Sequence, residues 1–336
     1  MKLLRYMVKR LLVFIPLFFC VIFVAFVLIR MLPGDPAHVL AGAFAYEETI
    51  QALTEQMGLD KPILEQFWIY ITNVFNGDLG RSLFTSSNVL DDLLKRFPAT
   101  FELITLSIIL SLIIGVTLAV FSAMRPKGIA AKISNVYGML AGSFADFWLA
   151  LLLIFVFFTT LNLVPAPIGR LGVIMMPPKR ITGMYLLDSL LTQNWSVFRS
   201  AFQHLILPVV TLGFINGAAI LKMTNSTMTE VLESDYIQHA KMMGLPNSTV
   251  RAYALKNTLP AVLMVIGNIY SFLLGGAVLI ESVFSWGGLG QYVTQALSNK
   301  DYVAIQGFIL VATLFSMVLY LVLDLLQMLI DPRIKY

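Results

Sequence analysis

The chain has 336 residues, of which 12% are charged and 58% hydrophobic, with a formal net charge of +4 and a mean hydropathy of +0.82. About a quarter of a soluble domain is charged, so this composition excludes an ordinary soluble globular protein. The single cysteine, Cys20, excludes an intrachain disulfide and a thiolate metal cluster, and His38, His204 and His239 lie on separate segments and read as polar surface or interface residues.

The first element is an uninterrupted apolar run at residues 11–29, preceded by Lys2, Arg5, Lys9 and Arg10 and closed by Arg30. A secretory h-region is about 7–15 residues long, so this longer run predicts an uncleaved anchor with the basic N-terminus inside. Pro33-Gly-Asp-Pro36 predicts the turn that ends it, because proline lacks a donor and glycine tolerates positive φ. Residues 47–76 repeat Leu53, Met57, Leu64, Phe67, Trp68, Ile71 and Val74 at helical spacing, interrupted at Gly58-Leu-Asp-Lys-Pro62. That pattern predicts two short amphipathic helices at the interface. Gly77-Asp-Leu-Gly80 is a further turn.

Five more apolar runs follow, at residues 103–121, 133–164, 205–221, 259–280 and 308–330. A spanning helix needs about 20 apolar residues to cross roughly 30 Å of hydrocarbon. The expectation is an all-α integral membrane protein with six transmembrane helices, the run at 133–164 being long enough to include a tilt or an interfacial end. Glycines in 259–280 predict close helix packing. Residues 162–203 are rich in Pro and Gly and carry Tyr185 and Trp195 as expected interface anchors.

Charge predicts the orientation. Arg125, Lys127 and Lys132, then Lys222, Lys241, Arg251 and Lys256, then Arg333 and Lys335 mark inside segments, whereas residues 33–98 hold Asp35, Glu47, Glu48, Glu55, Asp60, Glu65, Asp78, Asp91 and Asp92. Both termini are therefore expected in the cytoplasm. The expected organisation is residues 1–32 as tail and first span, 33–98 as an extracytoplasmic segment, and 99–336 as a five-helix core with a polar loop at 224–258. No basic-aromatic stripe points to nucleic acid.

Catalytic signatures are missing: no Gly-x-x-x-x-Gly-Lys-Ser/Thr loop, no His-Glu-x-x-His and no Gly-x-Ser-x-Gly occurs. ATP-driven work would need another polypeptide. Asp146, Glu281, Asp324 and Glu102 lie in or near apolar runs, where a charge costs about 2.5–3.5 kcal/mol on insertion scales and usually faces a cavity or a partner. Asp146 suits a structural ion pair or a substrate path equally, Glu281 reads as structural where the fifth span emerges, and Asp324 could meet a basic residue. Asn216 and Asn268 read as interhelical hydrogen-bonding groups before ligands.

The polar island 224–257 breaks the apolar pattern. Glu233 or Ser234 can cap a helix start, and Tyr236, Ile237, Ala240, Met243 and Gly244 recur on one stripe. Gly244 suits the helix end and Pro246 blocks continuation. The result is a short peg with an apolar face that either docks a partner or packs on its own bundle.

This island resembles the coupling segment of bacterial ABC importer permeases, in details the dipeptide/oligopeptide branch. The similarity rests on Arg30-Met-Leu-Pro-Gly-Asp-Pro36 after the first span, and on Asp235-Tyr-Ile237 with Ala240, Gly244-Leu245, Ala254-Leu-Lys-Asn257 and Pro260. It rests also on Glu281-Ser-Val-Phe-Ser-Trp-Gly-Gly-Leu-Gly290, Asp301-Tyr302 and the ending Asp331-Pro-Arg-Ile334. It runs through the whole chain in order. Three departures stand out: the Glu-Ala-Ala positions are held by Gln238, His239 and Ala240, the first two differing, the Gly244-to-Pro260 interval is slightly short, and Asp146 stands where the branch has small residues or proline.

The resemblance implies a type I importer permease in the bacterial inner membrane that binds no cofactor itself, with ATP and Mg on partner subunits. The implied partners are a homologous second permease, two ATP-binding subunits and an extracytoplasmic solute-binding protein, besides membrane lipid. Glu233, Asp235, Tyr236, Ile237, Ala240, Lys241, Met243, Gly244 and Leu245 would couple to the ATPase. Asp146, Asn216, Asn268 and Glu281 are candidates for the translocation path. Nickel, glutathione or sugar oligomers would fit the same scaffold as dipeptides. A proton-coupled secondary transporter using Asp146 and Asp324, or an intramembrane enzyme, are the rival classes.

Overall fold

A computed structural model of the chain describes residues 2–31, 46–56 and 58–330. The turn at Pro33–Pro36, His38, Met57 and the Asp331–Ile334 ending fall outside the described residues. The chain divides into two compact units, Met1–Phe97 with Gln291–Met317, and Pro98–Gly290 with Val318–Tyr336.

In the first unit, α1 (Lys2–Arg30) supplies the span Leu12–Arg30. The segment after it forms two helices, α2 (Glu47–Gln56) and α3 (Ile63–Phe75), parted at the expected Gly58 to Pro62 break. Phe67 meets Phe23 and Phe26 edge-on at 5.0 and 5.6 Å, seating the apolar stripe of α3 on the first span. The buried Asp301 accepts from the Ser82 hydroxyl at 2.5 Å and the Phe84 amide at 3.2 Å.

The second unit combines long helices with short ones. These are α4 (Val89–Met124, which enters the unit at Pro98), α5 (Ile129–Ser143), α6 (Asp146–Leu153), α7 (Tyr185–Leu191) and α8 (Trp195–Glu233). They are followed by α9 (Asp235–Met242), α10 (Asn247–Gly276) and α11 (Val278–Val283). After α12 (Leu289–Ser298), the end of α13 (Tyr302–Ile330) returns to this unit.

Among the described residues, five helices are long and apolar enough to cross a membrane, and a sixth crossing arises if the bent pair at residues 129–160 counts as one span. The run at 133–164, expected as one span with a tilt or an interfacial end, is instead two helices meeting at a bend. The chain turns by 104° between Ser143 and Asp146, where Phe144 and Ala145 are both extended, and beyond α6 the helix widens to a π turn at Ile154–Thr160. The Phe144 and Trp148 rings stack across the bend at 4.9 Å.

Close approach holds the long helices together. Gly213 and Gly217 of α8 are four residues apart, the small-xxx-small spacing that lets backbones meet. A Cβ on Gly115 of α4 would lie 2.8 Å from the Gly217 carbonyl oxygen, and one on Gly217 would collide with the Tyr137 hydroxyl. Ser111 donates to the Gly213 carbonyl at 3.0 Å and Tyr137 to the Phe214 carbonyl at 2.6 Å. The glycine expected to mark packing in 259–280 does so at Gly267, which faces Leu323 and Tyr320.

Candidate functional site

The polar island is a continuation of the helices on either side of it. Residues 224–233 are the last turns of α8, residues 247–257 the first turns of α10, and only α9 stands between them. Each helix residue rises about 1.5 Å, so α8 extends roughly 18 Å past the apolar run that ends at residue 221.

Ser234 occupies the N-cap of α9, but the expected side-chain cap is absent. Its backbone carbonyl accepts from Ile237 and Gln238, while its hydroxyl donates to the Val231 carbonyl at 2.5 Å and completes the end of α8 instead. Glu233 is the last residue of α8. Lys241 and Gln238 both reach the Leu232 carbonyl, at 3.4 and 3.2 Å. A helix C-terminus presents free carbonyls with partial negative charge, which these donors satisfy.

The other end of α9 closes as a Schellman motif. Gly244 sits at φ +77°, its amide bonds the Lys241 carbonyl at 3.0 Å, and the Leu245 amide bonds the Ala240 carbonyl at 3.2 Å. Pro246 then caps α10.

The single stripe expected on α9 is divided. Ile237 is fully buried and Ala240 nearly so, in a cluster with Val120, Met228, Leu232, Val250 and Ala254, with Leu245 packed against it. Tyr236 and Met243 are 52% and 73% exposed, and the neighbouring Met242 79%. At about 100° per residue the stripe spans some 120°, wider than one line of contact, so α9 rests on one flank and shows the other. The buried flank packs on its own bundle, one of the two uses foreseen in the sequence, and the other flank is left uncovered. Glu233, Asp235 and Lys241 are exposed around it.

Each path candidate has its own surroundings. Asp146 is the first residue of α6, half-buried, and makes no ion pair among the described residues. Asn216 donates to Leu212 in its own helix at 2.8 Å, correcting its interhelical assignment, because a donor on a helix readily reaches the carbonyl four residues back. Asn268 does bond across helices, accepting from Tyr320 at 3.1 Å. Glu281 is fully buried and accepts from the Thr100 hydroxyl at 2.5 Å, while Thr100 accepts from the Leu289 amide at 2.7 Å. Trp286 is pinned there as well, through the Ala99 carbonyl at 3.0 Å. Glu281 thus builds the turn at residues 284–290.

Sequence reading missed Arg170. Its guanidinium donates to Glu102 at 2.7 Å and to the Gly183 carbonyl at 3.2 Å, and lies 3.6 Å over the Tyr185 ring. Glu102 also accepts the Tyr185 and Leu186 amides at the start of α7. Tyr185 is half-buried under this cation, whereas Trp195 is 64% exposed. Beside this pair, the buried Asp188 gathers the Ile181, Thr182 and Gly183 amides and the Thr182 hydroxyl. Burial alone would raise the Asp188 carboxyl, but these four donors outweigh it and hold the group below the ordinary carboxylate value.

Comparison with known proteins supplies the context. Residues 115–336 match the family described as binding-protein-dependent transport system inner membrane component, and residues 3–105 match the N-terminal region of such membrane components. The chain is 40% identical to a probable D,D-dipeptide transport system permease protein of Escherichia coli K12, over 94% of this chain and 92% of that one. It is 38% identical to a dipeptide transport system permease protein of Alkalihalophilus pseudofirmus, over 99% and 100%. A glutathione transport system permease protein of Escherichia coli O6:H1 is 33% identical over 99% of each chain.

Proposed function

The chain belongs to the family of binding-protein-dependent transport system inner membrane components, and from that premise we propose that it is the permease subunit of an ATP-driven importer of dipeptides. Similarity along nearly the full length of two dipeptide permeases supports that substrate class. The glutathione relative, at lower identity, keeps a related peptide as the second reading.

One observation carries the coupling mechanism: α9 is clamped at both ends to α8 and α10 yet leaves Tyr236, Met242 and Met243 uncovered. This peg docks in an ATP-binding subunit on the cytoplasmic side, where both termini also lie. Two such subunits, a second permease and an extracytoplasmic solute-binding protein complete the importer. Closure of the ATP-binding subunits pushes the peg, and the Ile237 cluster transmits the displacement to α4, α8 and α10. The permease then opens outward to accept solute, and hydrolysis resets it. ATP and Mg reside on those subunits, and this chain supplies no catalytic group.

The test is co-purification in mild detergent of wild type and Met243→Asp. Loss of an ATP-binding subunit from a variant that keeps its elution profile supports the docking role. Unchanged subunits with unchanged transport would sink it.

A further inference from the structure

Near the peg, α4, the loop at 125–128, α5 and α10 enclose a cavity of about 540 Å³ whose lining includes Phe121, Arg125, Ile129, Asn247, Ser248 and Arg251. Its only charged lining groups are the two arginines, both exposed and without an ion pair among the described residues. Two helices begin at its wall. Neither has a side-chain cap, and the Ile129, Ala130, Asn247 and Ser248 amides have no acceptor among the described residues. A helix start with unspent donors carries partial positive charge, so arginines and amides converge with one sign.

The rim is apolar. Phe121 and Ile129 are 52% and 78% exposed, and Phe121 is the last residue of its apolar run. The cavity therefore lies at the polar end of that apolar run. An anionic headgroup with attached acyl chains matches both halves, and basic pockets between helices at a membrane surface bind such groups.

We propose that this cavity binds the phosphate headgroup of an anionic phospholipid, with Arg125 and Arg251 as its ligands and acyl chains along Phe121 and Ile129. Because Val250 beside Arg251 packs in the Ile237 cluster, the lipid would brace the base of the peg. Lipid retention is read on this chain whether or not an ATP-binding subunit docks, so the proposal stands or falls separately from the coupling mechanism.

The experiment uses the full chain, purified in mild detergent with its co-purifying subunits and then titrated with phosphatidylglycerol or phosphatidylcholine. Bound lipid is counted by native mass spectrometry. Wild type is expected to prefer phosphatidylglycerol by on the order of tenfold, given the attraction of each basic group near an anionic surface. Arg125→Gln with Arg251→Gln should abolish the preference, and the double lysine variant should restore part of it, which separates charge from misfolding. Equal retention by wild type and the glutamine variant would overturn the proposal. So would retention of inorganic phosphate without lipid preference, which would assign a soluble anion. Loss of subunits with lipid preference intact would overturn it too, assigning the arginines to an acidic protein surface.

Discussion

The Thr100 hydroxyl donates to the Glu281 carboxylate at 2.5 Å across 181 positions of chain, and the same hydroxyl accepts the Leu289 amide. One small side chain on α4 thereby fixes both the end of α11 and the turn that follows. Thr100→Val removes both bonds and should cost about 2–4 kcal/mol. Thermal melts of the purified chain check this, with Thr100→Ser, which keeps the hydroxyl, expected near wild type.

Gly244 lies at φ +77° with open space around a hypothetical Cβ, so the backbone conformation alone penalises a side chain. Gly244→Ala should cost roughly 1–2 kcal/mol, whereas Gly244→Asn should be milder because asparagine visits the left-handed region more readily. The readout is amide exchange at Leu245, whose bond to Ala240 should open faster in the alanine variant.

The two flanks of α9 should separate experimentally. Ile237→Ala empties a fully buried site and should lower stability by about 2–5 kcal/mol. Tyr236→Ala and Met243→Ala remove exposed groups and should leave the melting temperature nearly unchanged. If they lower transport while Ile237→Ala acts through stability, the exposed flank is the docking surface.

Glu102 and Arg170 form a buried pair at 2.7 Å, their side chains 4% and 11% exposed. Arg170→Met strands a buried carboxylate and should destabilise by about 3–5 kcal/mol, whereas Arg170→Met with Glu102→Gln should recover part of that loss. Thermal denaturation of the single and double variants measures the coupling.

Asp188 gives a pH signature. Its folded carboxyl is held below the ordinary value, so its contribution is full above the unfolded pKa of about 3.9 and is lost as pH falls through the lower folded value. Melting temperature should therefore drop more steeply on acidification below about pH 4 in wild type than in Asp188→Asn.

The sequence by itself determined the apolar runs, the two amphipathic helices parted at Gly58 to Pro62, and the Gly244 to Pro246 close of α9. All of these depend on neighbours within a turn or two, which sets helix periodicity and capping. The 104° bend was not singled out in the sequence: its two extended residues, Phe144 and Ala145, are neither Gly nor Pro, and only the Gly142-Ser143 pair before them is a local signal for a kink. Only the tertiary structure showed which flank of α9 is buried, that Ser234 serves the helix before it, and that Arg170 belongs with Glu102, 68 positions away. A charge's cost and a side chain's exposure depend on what the fold brings opposite it, and residue spacing along one helix leaves that partner open.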